Sequence, residues 1–166
     1  MQRKDYKKWS RLKSDLHNKY VVERNSSERY IKEREVRWCV FGENIGHETD
    51  GKGESYTRPC IILRKYNKYT FLVVPITSND KERDFLMDLG KISSVNARVN
   101  LSQMRVVSFA RMLGKISIIN YEKFQKLLEE IVKYNFPAIW QGEPEGRTWV
   151  HYIINNKYGK SKTAKT

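Results

Sequence analysis

The chain has 166 residues, 39% of them hydrophobic and 31% charged, with only four prolines and nine glycines, which bounds it to one ordinary globular domain plus an appendage and excludes a low-complexity protein. Its formal net charge of +13 runs through the whole sequence without gathering in one tail, a balance that favours a polyanionic partner such as nucleic acid. No apolar run approaches the length of a membrane span, and the opening MQRKDYKKW lacks the apolar core of a signal peptide, so a cytoplasmic protein with no membrane partner is expected.

In chain order, residues 3–20 place Tyr6, Trp9, Leu12, Leu16 and Tyr20 at spacings of three and four, the stripe of a helix that must dock on something. The polar stretch 22–33 reads as a linker broken at Asn25, Ser26 and Ser27, so residues 1–34 form an N-terminal helical extension. From Glu35 the pattern changes to alternation. Val36, Trp38 and Val40 fall on one face of a strand and Arg37, Cys39 and Phe41 on the other. Cys39 and Cys60 both lie in predicted strands, where a free thiol packs as a small hydrophobe, and three scattered histidines give no metal-ligand spacing. No metal and no cofactor are expected.

Between this strand and the next, Pro59 to Leu63, runs a loop with glycines at 42, 46, 51 and 53 that carries His47, Glu48, Asp50, Glu54 and Arg58. Glycines allow close backbone approach and positive φ, so such a loop can bring polar side chains against a ligand. Its part 49–57 shows few apolar anchors and is expected to be mobile. Tyr66-Asn67-Lys68 then turns the chain into the apolar strand Tyr69 to Ile76, with Pro75 marking where pairing stops on one side. Phe85 to Leu89 reads as a strand, Gly90 to Asn96 as a turn, Ala97 to Leu101 as a strand, and Val106 to Phe109 and Met112 to Ile118 as two more. Asn120 caps a helix striped with Tyr121, Phe124, Leu127, Leu128 and Ile131. Residues 135–166 form a C-terminal extension in which 138–155 should pack and the basic end should be disordered.

Three motifs stand in register on these strands: Gly42, Gly46 and Glu48 followed by Arg58-Pro59 at the head of a strand; the strand end Pro75-Ile76-Thr77-Ser78; and Leu101-Ser102-Gln103-Met104-Arg105. Over residues 35–134 the chain resembles the PemK/MazF family, the toxins of type II toxin–antitoxin modules. The resemblance implies a mainly β fold with α, an SH3-like small β-barrel with a C-terminal covering helix. It also implies a homodimer and a metal-independent endoribonuclease that cuts single-stranded RNA and silences translation, held in check by an acidic antitoxin protein. By resemblance, Arg58 is the main catalytic residue and Thr77 its partner, with His47, Glu48, Ser78, Gln103 and Arg105 as substrate-binding residues.

The residue types suit that chemistry. RNA supplies its own nucleophile in the 2′-hydroxyl, so the protein has to align it with phosphorus, move protons and stabilise phosphoryl charge. Arginine grips phosphate bidentately, and His47 or Glu48 could act as base. Plainer roles exist for each: Arg58 pairing with Glu48 to pin the loop, Thr77 as a β-former, His47 as a surface residue, Gln103 and Arg105 satisfying backbone groups. The chain also departs from the family. The spacing from Glu48 to Arg58 is long, Ser102 stands where some members carry an acid and Asn100 where they carry arginine, and Arg98 is out of register. The alternative to a ribonuclease is a catalytically inert RNA- or DNA-binding, or regulatory, module on the same barrel, and a gyrase poison is a third.

Overall fold

The computed structural model of the protein describes residues 4–23, 30–79 and 81–141. The chain divides into two units, the first ending at Ile119 and the second beginning at Asn120.

The first unit is a curled antiparallel half-barrel with an N-terminal helix. Helix α1 spans Tyr6–Glu23 and the strands are β1 (Glu35–Val40), β2 (Thr57–Lys65), β3 (Thr70–Thr77), β4 (Leu86–Ile92), β5 (Val95–Asn100), β6 (Arg105–Ser108) and β7 (Met112–Ile118). Their order is β4-β5-β3-β2-β1-β7, with β6 pairing β3 off this path. Strand β3 therefore serves two ladders along one edge. Thr70 to Val73 pair with β6, and Ile76 and Thr77 pair with β5. Pro75, which has no N–H to give, sits where one ladder has ended and the next has not begun. At that gap Pro75 itself leaves no donor unmet.

Alternation along β1 sets the core. Cys39 and Phe41 enter one cluster with Cys60, Ile62, Phe71 and Val73, while Val40 on the opposite side joins Trp9 and Tyr56. Helix α1 supplies the cover for that second side: Trp9 is buried, and Leu12 and Leu16 pack beside it. Tyr20, a turn and more further on, reaches Tyr69 and Phe109 at centroid distances of 6.0 and 5.3 Å. The helix expected to dock does so with the stripe read from its spacing.

Several local expectations change. Ile31, placed in the linker, is 1% exposed inside the first cluster, and neighbouring Glu33 accepts from Arg64 and from the Lys65 N–H. The core thus begins before Glu35. The turn expected over Gly90 to Asn96 is tighter, formed by Ser93 and Ser94 at φ of 46° and 70°, the positive pair a two-residue hairpin demands. Gly90 instead sits at a register shift within β4.

In the second unit, helix α2 spans Tyr121–Asn135, its Asn120 side chain accepting from the Lys123 N–H at 2.9 Å as an N-cap does. Phe124, Leu127 and Ile131 are its buried positions, and a short helix α3 follows at Pro137–Gln141. The packing expected for 138–155 and the disorder expected at the end lie, beyond residue 141, outside the described residues. None of the helices is long and apolar enough to cross a membrane among the described residues.

Candidate active site

The register of the sheet assembles the site before any side chain is considered. Cys60 pairs with Pro75 across β2 and β3, so two residues outward on each strand the same ladder carries Arg58 toward Thr77. Thr77 is in turn the registered partner of Arg98 on β5. Three strands thus lay Arg58, Thr77 and Arg98 in one row.

Arg58 and Thr77 together line a cleft of about 750 Å³, along with Val36, Trp38, Ile76 and Ser78. They also share a smaller depression of about 150 Å³ with Thr49, Asn79 and Asn100. A third, of about 190 Å³, takes in Ser78, Asn79, Asn96, Arg98 and Lys91. The large cleft is walled mainly by apolar side chains, and Trp38, 44% exposed, offers an open ring at its side.

Arg58 is half-buried and held by one bond: its Nε donates to the Asp50 carbonyl at 2.8 Å. Among the described residues its two terminal nitrogens make no hydrogen bond or ion pair, which leaves the edge of the guanidinium fork that grips a phosphate. Burial lowers its pKa, partly offset by the nearby Asp50 charge. A weakly solvated cation of this kind binds an anion more strongly than one in water. The Thr77 hydroxyl accepts from the Asn79 N–H at 3.2 Å, which fixes its rotamer at the strand end and keeps its own proton for a ligand.

The other residues named from sequence take different places. Glu48 does not pair with Arg58; its carboxylate accepts from the Ile45 N–H at 3.2 Å within the loop's tight turn. His47 is exposed at that turn and lines none of these depressions. Gln103 accepts from the Thr49 N–H at 2.9 Å, and Arg105 lies over the Phe41 ring and donates to Asn44 at 3.4 Å. Both brace the loop from behind. Of the substrate-binding set only Ser78 shares the cleft with Arg58 and Thr77. Asn100 lines the smaller depression, but its side-chain oxygen is engaged by the N–H and hydroxyl of Ser102.

The sequence did not single out Trp38 or Asn79, and it set Arg98 aside as out of register, whereas Arg98 is the registered partner of Thr77. Arg98 had a readable signal, since counting back from Asn100 along an antiparallel pair reaches it, but the partner register of β3 is set by the bend at Pro75 and does not show in the sequence. The loop itself is also better anchored than expected. Tyr56 is buried against Trp9, its carbonyl accepts from the N–H groups of Phe41 and Gly42, and Lys52 bridges to Thr57. Among the described residues no three His, Cys, Asp or Glu side chains converge as a metal cluster requires.

Residues 32–134 match the family described as PemK-like, MazF-like toxin of type II toxin-antitoxin system. No curated protein matches the sequence. Among solved structures, MazF (Form-I) from Deinococcus radiodurans is 16% identical, with 63% of this chain and 94% of that chain covered at a TM-score of 0.50. The Mycobacterium tuberculosis toxin MazF-mt6 is 13% identical, with 60% and 94% covered at 0.46, and an endoribonuclease in complex with its cognate antitoxin from mycobacterial species is 10% identical, with 62% and 92% covered at 0.46. At such identities the likeness is one of fold.

Proposed function

Because the chain belongs to the PemK-like, MazF-like toxins of type II toxin–antitoxin systems, a family of endoribonucleases, we propose that it cuts single-stranded RNA at the cleft shared by Arg58 and Thr77. The observation that carries this reading is the half-buried Arg58, pinned by Nε with its terminal nitrogens unpaired among the described residues, beside a fixed threonine hydroxyl. A phosphodiester seated there receives two N–H donors from Arg58 and one O–H from Thr77, aimed at the oxygens on which charge grows as phosphorus becomes pentacoordinate. The 2′-hydroxyl oxygen forms the new bond to phosphorus and the bond to the 5′-oxygen breaks, giving a 2′,3′-cyclic phosphate and a 5′-hydroxyl. One proton leaves the 2′-oxygen and one reaches the 5′-oxygen, so the step is balanced and needs no metal. In this reading Arg58, whose pKa burial lowers, gives the latter proton. His47 and Glu48 stand outside the cleft, so solvent takes the proton from the 2′-oxygen.

The wall of the cleft suits a single strand whose bases are splayed out. Trp38 offers a face for stacking, worth roughly 1–3 kcal/mol per base, and Ser78, Asn79 and Arg98 offer hydrogen bonds that select among bases. Exposed apolar side chains other than Trp38, among them Val95 and Ile118, favour a homodimer with RNA lying in a groove across the two copies. Net charge of +13 suits both RNA and an acidic antitoxin segment competing for the same cleft. Action on cytoplasmic mRNA, with arrest of translation and growth, follows from the reaction.

The test is induced expression with mapping of RNA 5′ ends. Growth should stop and new 5′-hydroxyl ends should share a short sequence, while Arg58→Ala and Thr77→Val should relieve both effects. No arrest on induction would instead support an inert binding module, arrest with intact RNA would support a gyrase poison, and arrest with RNA cleavage that persists in Arg58→Ala would remove Arg58 from the mechanism.

A further inference from the structure

Helix α1 and the residues before it lie outside the matched segment 32–134, yet they touch the loop that holds Arg58. Lys4 donates to the Asn44 carbonyl and reaches both oxygens of Asp50, at 3.0 and 2.8 Å. The Tyr6 hydroxyl donates to the same Asn44 carbonyl at 3.1 Å. A turn later the Trp9 ring lies so close to Gly42 that a Cβ there would stand 2.2 Å from it. The ring also meets Tyr56 at 5.8 Å and lies beneath the Arg111 guanidinium, whose Nη1 holds the carbonyls of Val40 and Phe41. The two ends of the loop are thus clamped by one helix.

Asp50 is the residue on which these contacts turn. Its carboxylate faces Lys4 and the Asn44 N–H, at 2.6 Å, while its main-chain oxygen faces Arg58 Nε. A carboxylate is a stronger partner for a guanidinium than a carbonyl is, and one on the residue already bonded to Arg58 is the nearest competitor for the fork. The charge of Asp50 does act on Arg58. Lys4 engages both oxygens of that carboxylate, one of which also accepts from the Asn44 N–H.

We propose that the N-terminal segment, Lys4 together with helix α1, is a positioning device for the active site, in which Lys4 takes up the Asp50 carboxylate so that Asp50 offers Arg58 only its main-chain oxygen and leaves the terminal nitrogens open to phosphate. This rests on the assignment of Arg58 as the catalytic residue. Lys4 itself is a positioning residue and touches no RNA. Without it the Asp50 carboxylate swings to Arg58 and the phosphate clamp becomes an internal ion pair.

The experiment compares Lys4→Met, Lys4→Arg and the double variant Lys4→Met/Asp50→Asn in single-turnover cleavage of a short RNA, with Arg58→Ala as control and Arg58 Nε–H followed by NMR in the full-length protein. Lys4→Met should lower kcat by about 10- to 100-fold, the cost of a misplaced catalytic group, with KM little changed and a shifted Arg58 Nε–H resonance. Lys4→Arg should restore most of the rate. Adding Asp50→Asn should restore it too, because the amide still accepts from Asn44 but no longer competes for the guanidinium. A rise in KM with kcat unchanged would make Lys4 a direct RNA contact and overturn the proposal. A loss of rate that Asp50→Asn fails to relieve would overturn it as well, reducing the helix to a stabilising cover. If Arg58→Ala itself remains active, the assignment of Arg58 fails, and the resonance still decides separately whether Lys4 controls the guanidinium.

Discussion

Gly42 shows how one position without a side chain links a helix to a loop. Its φ is +83° and the Trp9 ring fills the space a Cβ would take, so substitution meets both backbone strain and a clash with a buried aromatic. Gly42→Ala should cost about 2 kcal/mol or more of stability and loosen α1 from the loop, read as a lower urea midpoint and lost protection of the Phe41 and Gly51 amides. Titration gives a second check at this scale. Hydrogen bonding to Cys39 and burial push the Cys60 thiol well up, burial pushes the Tyr56 phenol up, and the bond to Asp50 holds Lys4 above its ordinary value. Each of these folded-state pKa values exceeds the unfolded one, so the native state holds the proton more tightly. The associated stability is whole below the ordinary thiol pKa of about 8.5 and is lost as pH rises past it, through the thiol first and then through the phenol and ammonium. Urea midpoints should fall steadily above that pH, and less steeply in Cys60→Ala.

Among the elements, those carried by periodicity were legible. The stripe of α1, the alternation of β1, the Tyr66 to Lys68 turn and the cap at Asn120 all follow from residue spacing and chemistry, and each is present. What the spacing could not convey was anything set by tertiary register. The Ser93-Ser94 hairpin puts two non-glycine residues at positive φ because the flanking strands hold them there, while the glycine that suggested the turn, Gly90, is used in a bulge. Ile31 looked like linker because its neighbours are charged, although the cluster that buries it is made by residues of β1, β2, β3, β6 and β7, distant in sequence. That Arg58, Thr77 and Ser78 meet in one cleft was readable from their motifs, whereas Gln103 and Arg105 were readable as motif residues but not as braces of the loop. For α2, the cap is a local contribution that can be isolated: Asn120→Ala should cost about 1 kcal/mol, seen as a lower thermal midpoint with RNA cleavage unchanged, since Asn120 stands outside the cleft.

For the molecule as a whole, the half-barrel presents Arg58 at the strand junction where β3 changes partners, and the N-terminal helix holds the loop behind it. Positive charge over the entire chain suits a polyanion, and in the proposed reading the chemistry falls to one guanidinium and one hydroxyl in a largely apolar cleft. The most direct measurement is to incubate the purified protein in EDTA with a single-stranded RNA carrying a mapped cut site, alongside the same RNA with one 2′-deoxy nucleotide at that site. The account predicts cleavage of the first to a 2′,3′-cyclic phosphate and a 5′-hydroxyl, no cleavage of the second, and no activity in Arg58→Ala. Cleavage that EDTA abolishes, equal cutting of the deoxy substrate, or an active Arg58→Ala would contradict it.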